Sequence, residues 1–307
     1  MRLARAAAVL VAVAACGERS APTRGDAPPA PHATSRSAAP AWSWRDPPTG
    51  DAGQTAPTFI AAGRGRLVVA TAGGCLELLD GETGKPAAAR RCEKGGGPLG
   101  LAVIGDVAIV AGEKSVRAFS LEDLREVWKR DTGGVQSEEL ARPGAVDGRF
   151  CYLVSDDRSG RGIECLDPAT GRPGQPWTIG GFRVAFGERL VGLITSHRPK
   201  SLPYADGLEL MVELYTVDRK PVIERAMAGR HGPRFVQTRP VFVAQTDGAR
   251  GRTRWFVDRD GRELDPIAGE KAASATDTPA GDRVVDGEMS YVIAGERVQA
   301  YRAAAPR

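Results

Sequence analysis

Five cysteines and three histidines are the residues of this 307-residue chain with the most chemistry to offer, and their spacing decides what kind. Cys16 closes the run Val13-Ala14-Ala15, whose small side chains leave its thiol open to acylation. The other four fall into two pairs. Cys75 and Cys92 are centred on Gly81-Glu82-Thr83-Gly84-Lys85, and Cys151 and Cys165 on Asp156-Asp157-Arg158-Ser159-Gly160. Both centres have turn composition. Residues equidistant from the turn of an antiparallel hairpin face each other, close enough for an S–S bridge. Of the three pairings open to four cysteines, the spacing therefore favours Cys75 with Cys92 and Cys151 with Cys165. Each bridge would close a loop of about 15 residues, worth roughly 3 kcal/mol in the chain-entropy account. A redox or metal centre needs C-x-x-C or a Cys/His cluster, and His32, His197 and His231 have no second ligand at such a spacing. There is no G-x-S-x-G elbow and no cysteine with a histidine partner in view. Asp156 to Gly160 lacks the EF-hand pattern and reads as a polar hairpin tip. The expectation is of structural disulfides, with no catalytic residue, no metal site and no cofactor.

Where those bridges persist depends on the compartment, and the first residues address it. Arg2 and Arg5 precede an unbroken apolar run from Ala6 to Ala15, a charged segment followed by a core too short to span a bilayer. With Ala14-Ala15-Cys16-Gly17 at its end, the whole pattern resembles the lipobox of bacterial lipoproteins. That resemblance implies cleavage before Cys16, a diacylglyceryl thioether on its sulfur and a palmitate-type chain on its amine. It also implies the outer membrane as destination, since Gly17 rather than Asp follows the cysteine. Two or three chains anchor firmly where one binds only marginally. An exported chain meets an oxidising environment in which disulfides last.

The mature composition excludes several classes. With 42% apolar residues the chain is neither disordered nor a polytopic membrane protein. Its 42 Lys and Arg against 38 Asp and Glu are too even for a nucleic-acid binder. Residues 17–56 are dominated by Pro, Ala, Ser, Thr and Gly, with no apolar period, so they cannot bury enough surface to offset ordering. They read as an extended tether of about 3.1 Å per residue where it is polyproline-like. The expected organisation is a signal over 1–15, a lipidated cysteine and tether over 16–56, and one folded domain over 57–307.

From residue 57 a phrase repeats. An aliphatic strand opens at Gly65, Gly105, Gly148, Glu188, Arg239 and Gly287, and a second strand follows each. Turns follow in five of the six, most clearly Asp80-Gly81-Glu82-Thr83-Gly84 and Asp167-Pro168-Ala169-Thr170-Gly171. Outer strands carry Trp128 and Trp177. The spacing of roughly 40 to 50 residues suits one four-stranded propeller blade per repeat. Short strands with turn signals and no long 3.6-residue period predict an all-β fold. The phrase resembles the quinoprotein-type (PQQ-like) β-propeller repeat. The expected fold is a β-propeller of about six four-stranded blades, within a range of five to eight. The last repeat lacks an outer strand, and Trp42-Ser43-Trp44-Arg45 alternates as a strand does, so 42–45 is the candidate to close the ring. Quinoprotein dehydrogenases hold their cofactor against two adjacent cysteines, and this chain has no such pair, so the resemblance carries fold and not cofactor.

Two basic segments depart from the repeat. Ser196 to Gly207 lengthens one hairpin and contains His197, Arg198, Lys200, Leu202 and Tyr204; Gly229 to Phe235 contains Arg230 and His231. Loops of that composition on a rigid ring suit recognition. Lipoproteins of the repeat family that lack the cofactor site include a scaffold of the outer-membrane-protein assembly machinery. The expected function is a non-catalytic envelope scaffold with unidentified envelope proteins as partners. The alternatives are a ligand-binding or enzymatic propeller with a central-channel site, and a surface lipoprotein without a machinery partner.

Overall fold

Strands buried on both faces need continuous apolar runs, and the aliphatic segments of the repeat provide them. In the computed structural model, described for residues 39–47, 56–92, 97–138, 140–156, 160–175, 177–179, 181–195, 208–229, 232–248, 251–274 and 283–302, Leu67 to Thr71 and Val191 to Thr195 are buried without interruption. Each is the second strand of an antiparallel blade and packs against neighbours on either side.

Among the described residues there are six such sheets. Blade 1 comprises β2 (Pro57–Gly63), β3 (Arg66–Thr71), β4 (Cys75–Asp80) and β5 (Arg91–Cys92). Blade 2 comprises β6 (Gly100–Ile104), β7 (Val107–Ala111), β8 (Ser115–Ser120) and β9 (Glu126–Asp131). In blade 3 the inner strand is split into β10 (Val135–Gln136) and β11 (Gly144–Val146), both paired to β12 (Arg149–Asp156), followed by β13 (Gly160–Leu166) and β14 (Trp177–Thr178). Blade 4 runs β15 (Gly181–Phe186), β16 (Val191–Thr195), β17 (Leu208–Tyr215) and β18 (Pro221–Gly229). Blade 5 runs β19 (Arg234–Gln237), β20 (Phe242–Gly248), β21 (Gly251–Val257) and β22 (Glu263–Leu264). Blade 6 takes β23 (Arg283–Asp286), β24 (Met289–Ala294) and β25 (Arg297–Arg302) from one end of the chain, and β1 (Trp42–Arg45) from the other. The register of that last pair runs from Trp42↔Ala300 to Arg45↔Arg297, so β1 covers an edge that β25 would otherwise expose.

Turn chemistry sets the hairpins. Arg64-Gly65 and Asp147-Gly148 both have two successive positive φ values (54° and 71°, 47° and 75°), the primed turn that matches strand twist. Asp80 Oδ1 accepts hydrogen bonds from the Thr83 amide (3.0 Å) and hydroxyl (2.9 Å), and Asp167 Oδ1 does the same with Thr170 (2.9 and 2.8 Å). The glycine that follows, Gly84 or Gly171, has φ 68° in both copies.

That glycine seats the neighbouring blade. A Cβ on Gly84 would lie 2.5 Å from the Trp42 ring, and one on Gly171 2.7 Å from the Trp128 ring. Trp42 Nε1 donates to Gly81 O (3.0 Å) and Trp128 Nε1 to Pro168 O (2.8 Å). At the closing junction Tyr291 Oη also donates to Gly81 O (3.2 Å), its ring 5.9 Å from that of Trp42. The tip of one blade's inner hairpin also touches the next: the Gly65 amide donates to Asp286 Oδ2 (2.8 Å), Arg64 pairs with Asp106, and the Asp147 amide donates to Glu188 O (2.8 Å).

Among the described residues one helix interrupts the strands, an element the repeat does not announce. In α1 (Pro266–Ser274), Asp265 Oδ1 caps the Ile267 and Ala268 amides at 3.0 Å each, and Pro266 stands where no amide donor is needed. Gly269 lies flat on the Phe256 ring, with no room for a Cβ.

Candidate binding sites on the propeller

Residues of all six blades line a central cavity of about 240 Å³, from the inner strands of five and from Thr238 and Arg239 after β19 of blade 5. On one side they pack closely. A Cβ on Gly63 would lie 2.7 Å from Val103, and one on Gly100 2.2 Å from Pro143 O. The split in the inner strand of blade 3 supplies that proline. Between β10 and β11 the chain leaves the sheet and crosses inward, held by a Leu140 O contact from the Phe186 amide of blade 4 (2.8 Å), an ion pair between Glu138 and Arg161, and the fully buried Ala141. This strap presents Leu140 and Arg142 to the cavity.

The walls are otherwise apolar, with Phe59, Leu101, Phe186 and Val284 among them, and two further arginines complete the lining. Arg283 opens β23 and donates from Nε to Ser290 Oγ (2.9 Å). Arg239 follows β19 and donates from Nη2 to Ala145 O (3.0 Å) and Gly187 O (3.5 Å). Desolvation pulls the Arg239 guanidinium below its ordinary value, opposed by the Glu188 carboxylate. Arg283 opens its inner strand, Arg142 lies on the strap between the two halves of the inner strand of blade 3, and Arg239 follows β19; all three line the one cavity. Sequence reasoning did not single out these arginines, because only ring closure brings them together.

A second cavity, of about 470 Å³, lies between blades 1 and 2. Leu76, Val110 and Phe119 face it together with Lys114, Lys129 and Asp131, the last two paired at 2.8 Å.

Two buried polar clusters join blades. Arg90 holds Asp46 by two bonds (2.5 and 3.3 Å), linking the residue after β1 to blade 1, and burial raises the nearby Glu77 despite the field of Arg90. Glu164 of blade 3 accepts from Tyr152 Oη (2.5 Å) and from Arg130 of blade 2 (3.1 Å), and burial pushes the Tyr152 phenol well above its usual value. These side chains are consumed in holding the ring together.

The structure contains the bridges Cys75–Cys92, across β4 and β5, and Cys151–Cys165, across β12 and β13; each pair consists of register partners, with Cα atoms 3.9 and 4.0 Å apart. Cys16, His197, Arg198, Lys200, Leu202, Tyr204, Arg230 and His231 lie outside the described residues. The strand ends that flank the two basic segments are described: Leu208, after the first, and Gly229, before the second, are register partners at one end of blade 4. No group of His, Cys, Asp and Glu able to hold a metal occurs among the described residues, and no described helix is long and apolar enough to cross a membrane.

Among the described residues, six sheets, five of four strands and one of five, with residues of every blade on a common cavity and closure by pairing of β1 with β25, define a six-bladed β-propeller. No family model and no curated protein matches the chain. Among solved structures it is similar to the crystal structure of BamB from Moraxella catarrhalis, at 13% sequence identity and a TM-score of 0.39, over 79% of this chain and 84% of that one.

Proposed function

We propose that this is an envelope lipoprotein, held to the outer membrane through Cys16 and facing the periplasm, whose propeller is a non-catalytic platform for protein contacts. Residues 16–56 are the tether, and the propeller begins at residue 57, with 42–45 returning to close it. The reading rests on one observation above others: Leu208 and Gly229, the strand ends next to the basic segments 196–207 and 230–231, are register partners at one end of blade 4. Both are basic, and the first brings Tyr204 and Leu202 with it. Aromatic and arginine side chains together are the usual anchors of protein interfaces. A twice-stapled ring offers a rigid base from which segments of this composition can recognise a partner.

The test is crosslinking of the intact chain in its own envelope, followed by identification of what is attached. The platform reading expects reproducible capture of one protein, lost when residues 197–206 are replaced by a short turn. Capture of nothing by a folded, anchored chain overturns it and leaves the surface lipoprotein without a partner.

A further inference from the structure

We propose that the central cavity is a binding site for a compact organic anion, a carboxylate or phosphate ester on an apolar body. This goes beyond the platform reading and does not depend on it. The argument starts from charge. Arg142, Arg239 and Arg283 face the cavity, and no Asp or Glu stands among its described lining residues. Arg142 and Arg283 have no ion-pair partner among the described residues, in a chain where most arginines of the ring surface are paired with a carboxylate, as Arg45, Arg64, Arg149, Arg189 and Arg225 are. Like charges gathered on one concave wall raise the local concentration of the opposite charge. A guanidinium is the side chain best shaped to grip a carboxylate or phosphate by two bonds.

The remaining lining sets the rest of the ligand. Phe59, Leu101, Phe186 and Val284 offer apolar contact, and a bare inorganic ion would leave that surface unfilled. At about 240 Å³ the space is just under the ~300–1,000 Å³ of cavities for drug-sized ligands, so the body is small, of the order of one aromatic ring. Two of the arginines are already held in place, Arg283 by Ser290 and Arg239 by two backbone carbonyls, which lowers the ordering cost of binding. Arg142 rides on the strap of blade 3 that the Phe186 amide of blade 4 holds at Leu140 O, so an anion gripped by Arg142 and Arg283 together would tie the strap to blade 6.

The carboxylate has two sources, a free small molecule or the C-terminus of a peptide. Calorimetric titration of the full mature chain with benzoate, phenyl phosphate, the neutral isostere benzamide, and a short Phe-terminated peptide as free acid or amide separates them. Benzoate or phenyl phosphate should bind with one-to-one stoichiometry, at least tenfold more tightly than benzamide and less tightly as salt rises. Arg142→Gln and Arg283→Gln should each weaken binding fivefold or more with the melting temperature unchanged. Arg283→Lys should recover part of the loss, and Arg125→Gln, on an exposed turn, should leave affinity as it is. A free-acid peptide that outcompetes benzoate identifies a chain terminus as the source; one that does not identifies a small molecule. Equal binding of benzamide and benzoate, affinities within twofold in both glutamine variants, or no binding of any anion at millimolar concentration overturns the proposal.

Discussion

Blades 1 and 3 and blades 4 and 5 are built from the same repeat and joined in different ways. In blades 1 and 3 the turn after the third strand is Asp-x-x-Thr-Gly, a glycine adopts the left-handed conformation, and a tryptophan from the previous blade lies on it and donates to the turn. Each of these two blades also carries a disulfide. Blade 4 has Arg219 at the left-handed position (φ 66°), and its guanidinium lies 5.9 Å from the Trp177 ring. Trp177 turns edge-on to Tyr215, at 5.8 Å. Blade 5 keeps the glycine, Gly261, but meets it with Val222 rather than a tryptophan. The seat and the ring work only as a pair. Where one partner drifts, the junction is rebuilt from weaker contacts, although the blade itself survives.

The largest expected effect is on the tryptophan that closes the ring. Trp42→Ala removes the ring from Gly84 and a donor from Gly81 O, and truncation of a well-packed Trp costs about 3–5 kcal/mol. Val222→Ala, at the corresponding place before blade 5, should cost about 1 kcal/mol. Urea unfolding of both variants checks the difference. Equal losses would mean that the tryptophan seat contributes nothing beyond ordinary packing.

Next come the staples. Replacing Cys151 and Cys165 together by Ala should cost about 3 kcal/mol, the chain-entropy value for a loop of that length. The two bridges should also differ in access. Cys151 and Cys165 are buried, at 0% and 5% exposure, whereas Cys92 is exposed and accepts a contact from Arg90 Nε (3.3 Å). Thiol trapping under mild reductant should therefore label Cys75 and Cys92 before the other pair. Simultaneous labelling would mean that blade 3 opens as readily as blade 1.

How legible each blade was in the sequence follows the same division. The second and third strands stand out because burial on both faces demands runs such as Leu67-Val68-Val69-Ala70 and Val107-Ala108-Ile109-Val110. Inner strands do not. Arg283 to Asp286 alternates exposed and half-buried residues, and Val285 remains 61% exposed. The inner strand of blade 3 is broken by its strap, so it has no period to read. Cysteine spacing carried the pairing, since register follows from distance to a turn. The arginines of the central cavity left no local trace: they are 44 to 141 residues apart in the chain, and ring closure alone makes them neighbours. The helix did leave one, Asp265-Pro266, a cap followed by a residue suited to the first helical position.

Exchanging the left-handed residues sharpens the comparison further. Gly171→Val would force a β-branched side chain into the Trp128 ring at φ 68°, and should cost about 2–3 kcal/mol through strain and overpacking. Arg219→Gly relieves strain of roughly 1 kcal/mol and loses a cation–π contact of similar size, so it should lie within about 0.5 kcal/mol of neutral. A large loss in the second variant would show that blade 4 depends on Arg219 as blade 3 depends on Trp128.

The smallest effect is electrostatic, and pH isolates it. Asp80 and Asp167 are held below the ordinary carboxylate value of 3.8, first by the threonine hydroxyl and then by the threonine amide that each accepts. A carboxylate whose pKa falls on folding binds fewer protons in the folded chain than in the unfolded one, so stability rises with pH through that interval. The contribution is complete above the unfolded value, near pH 4, and disappears as pH drops through the lower folded value. Asp167→Asn should therefore lower the melting temperature at pH 6 by about a degree or two, as expected for an exposed turn contact in a chain of this size. The gap between variant and parent should shrink by pH 3. Thr170→Val, which removes the hydroxyl but leaves the amide, should retain part of the gap at pH 6. If the gap in Asp167→Asn is unchanged from pH 6 to pH 3, the charge of Asp167 plays no part in shaping the turn, and the seat for Trp128 is made by the glycine alone.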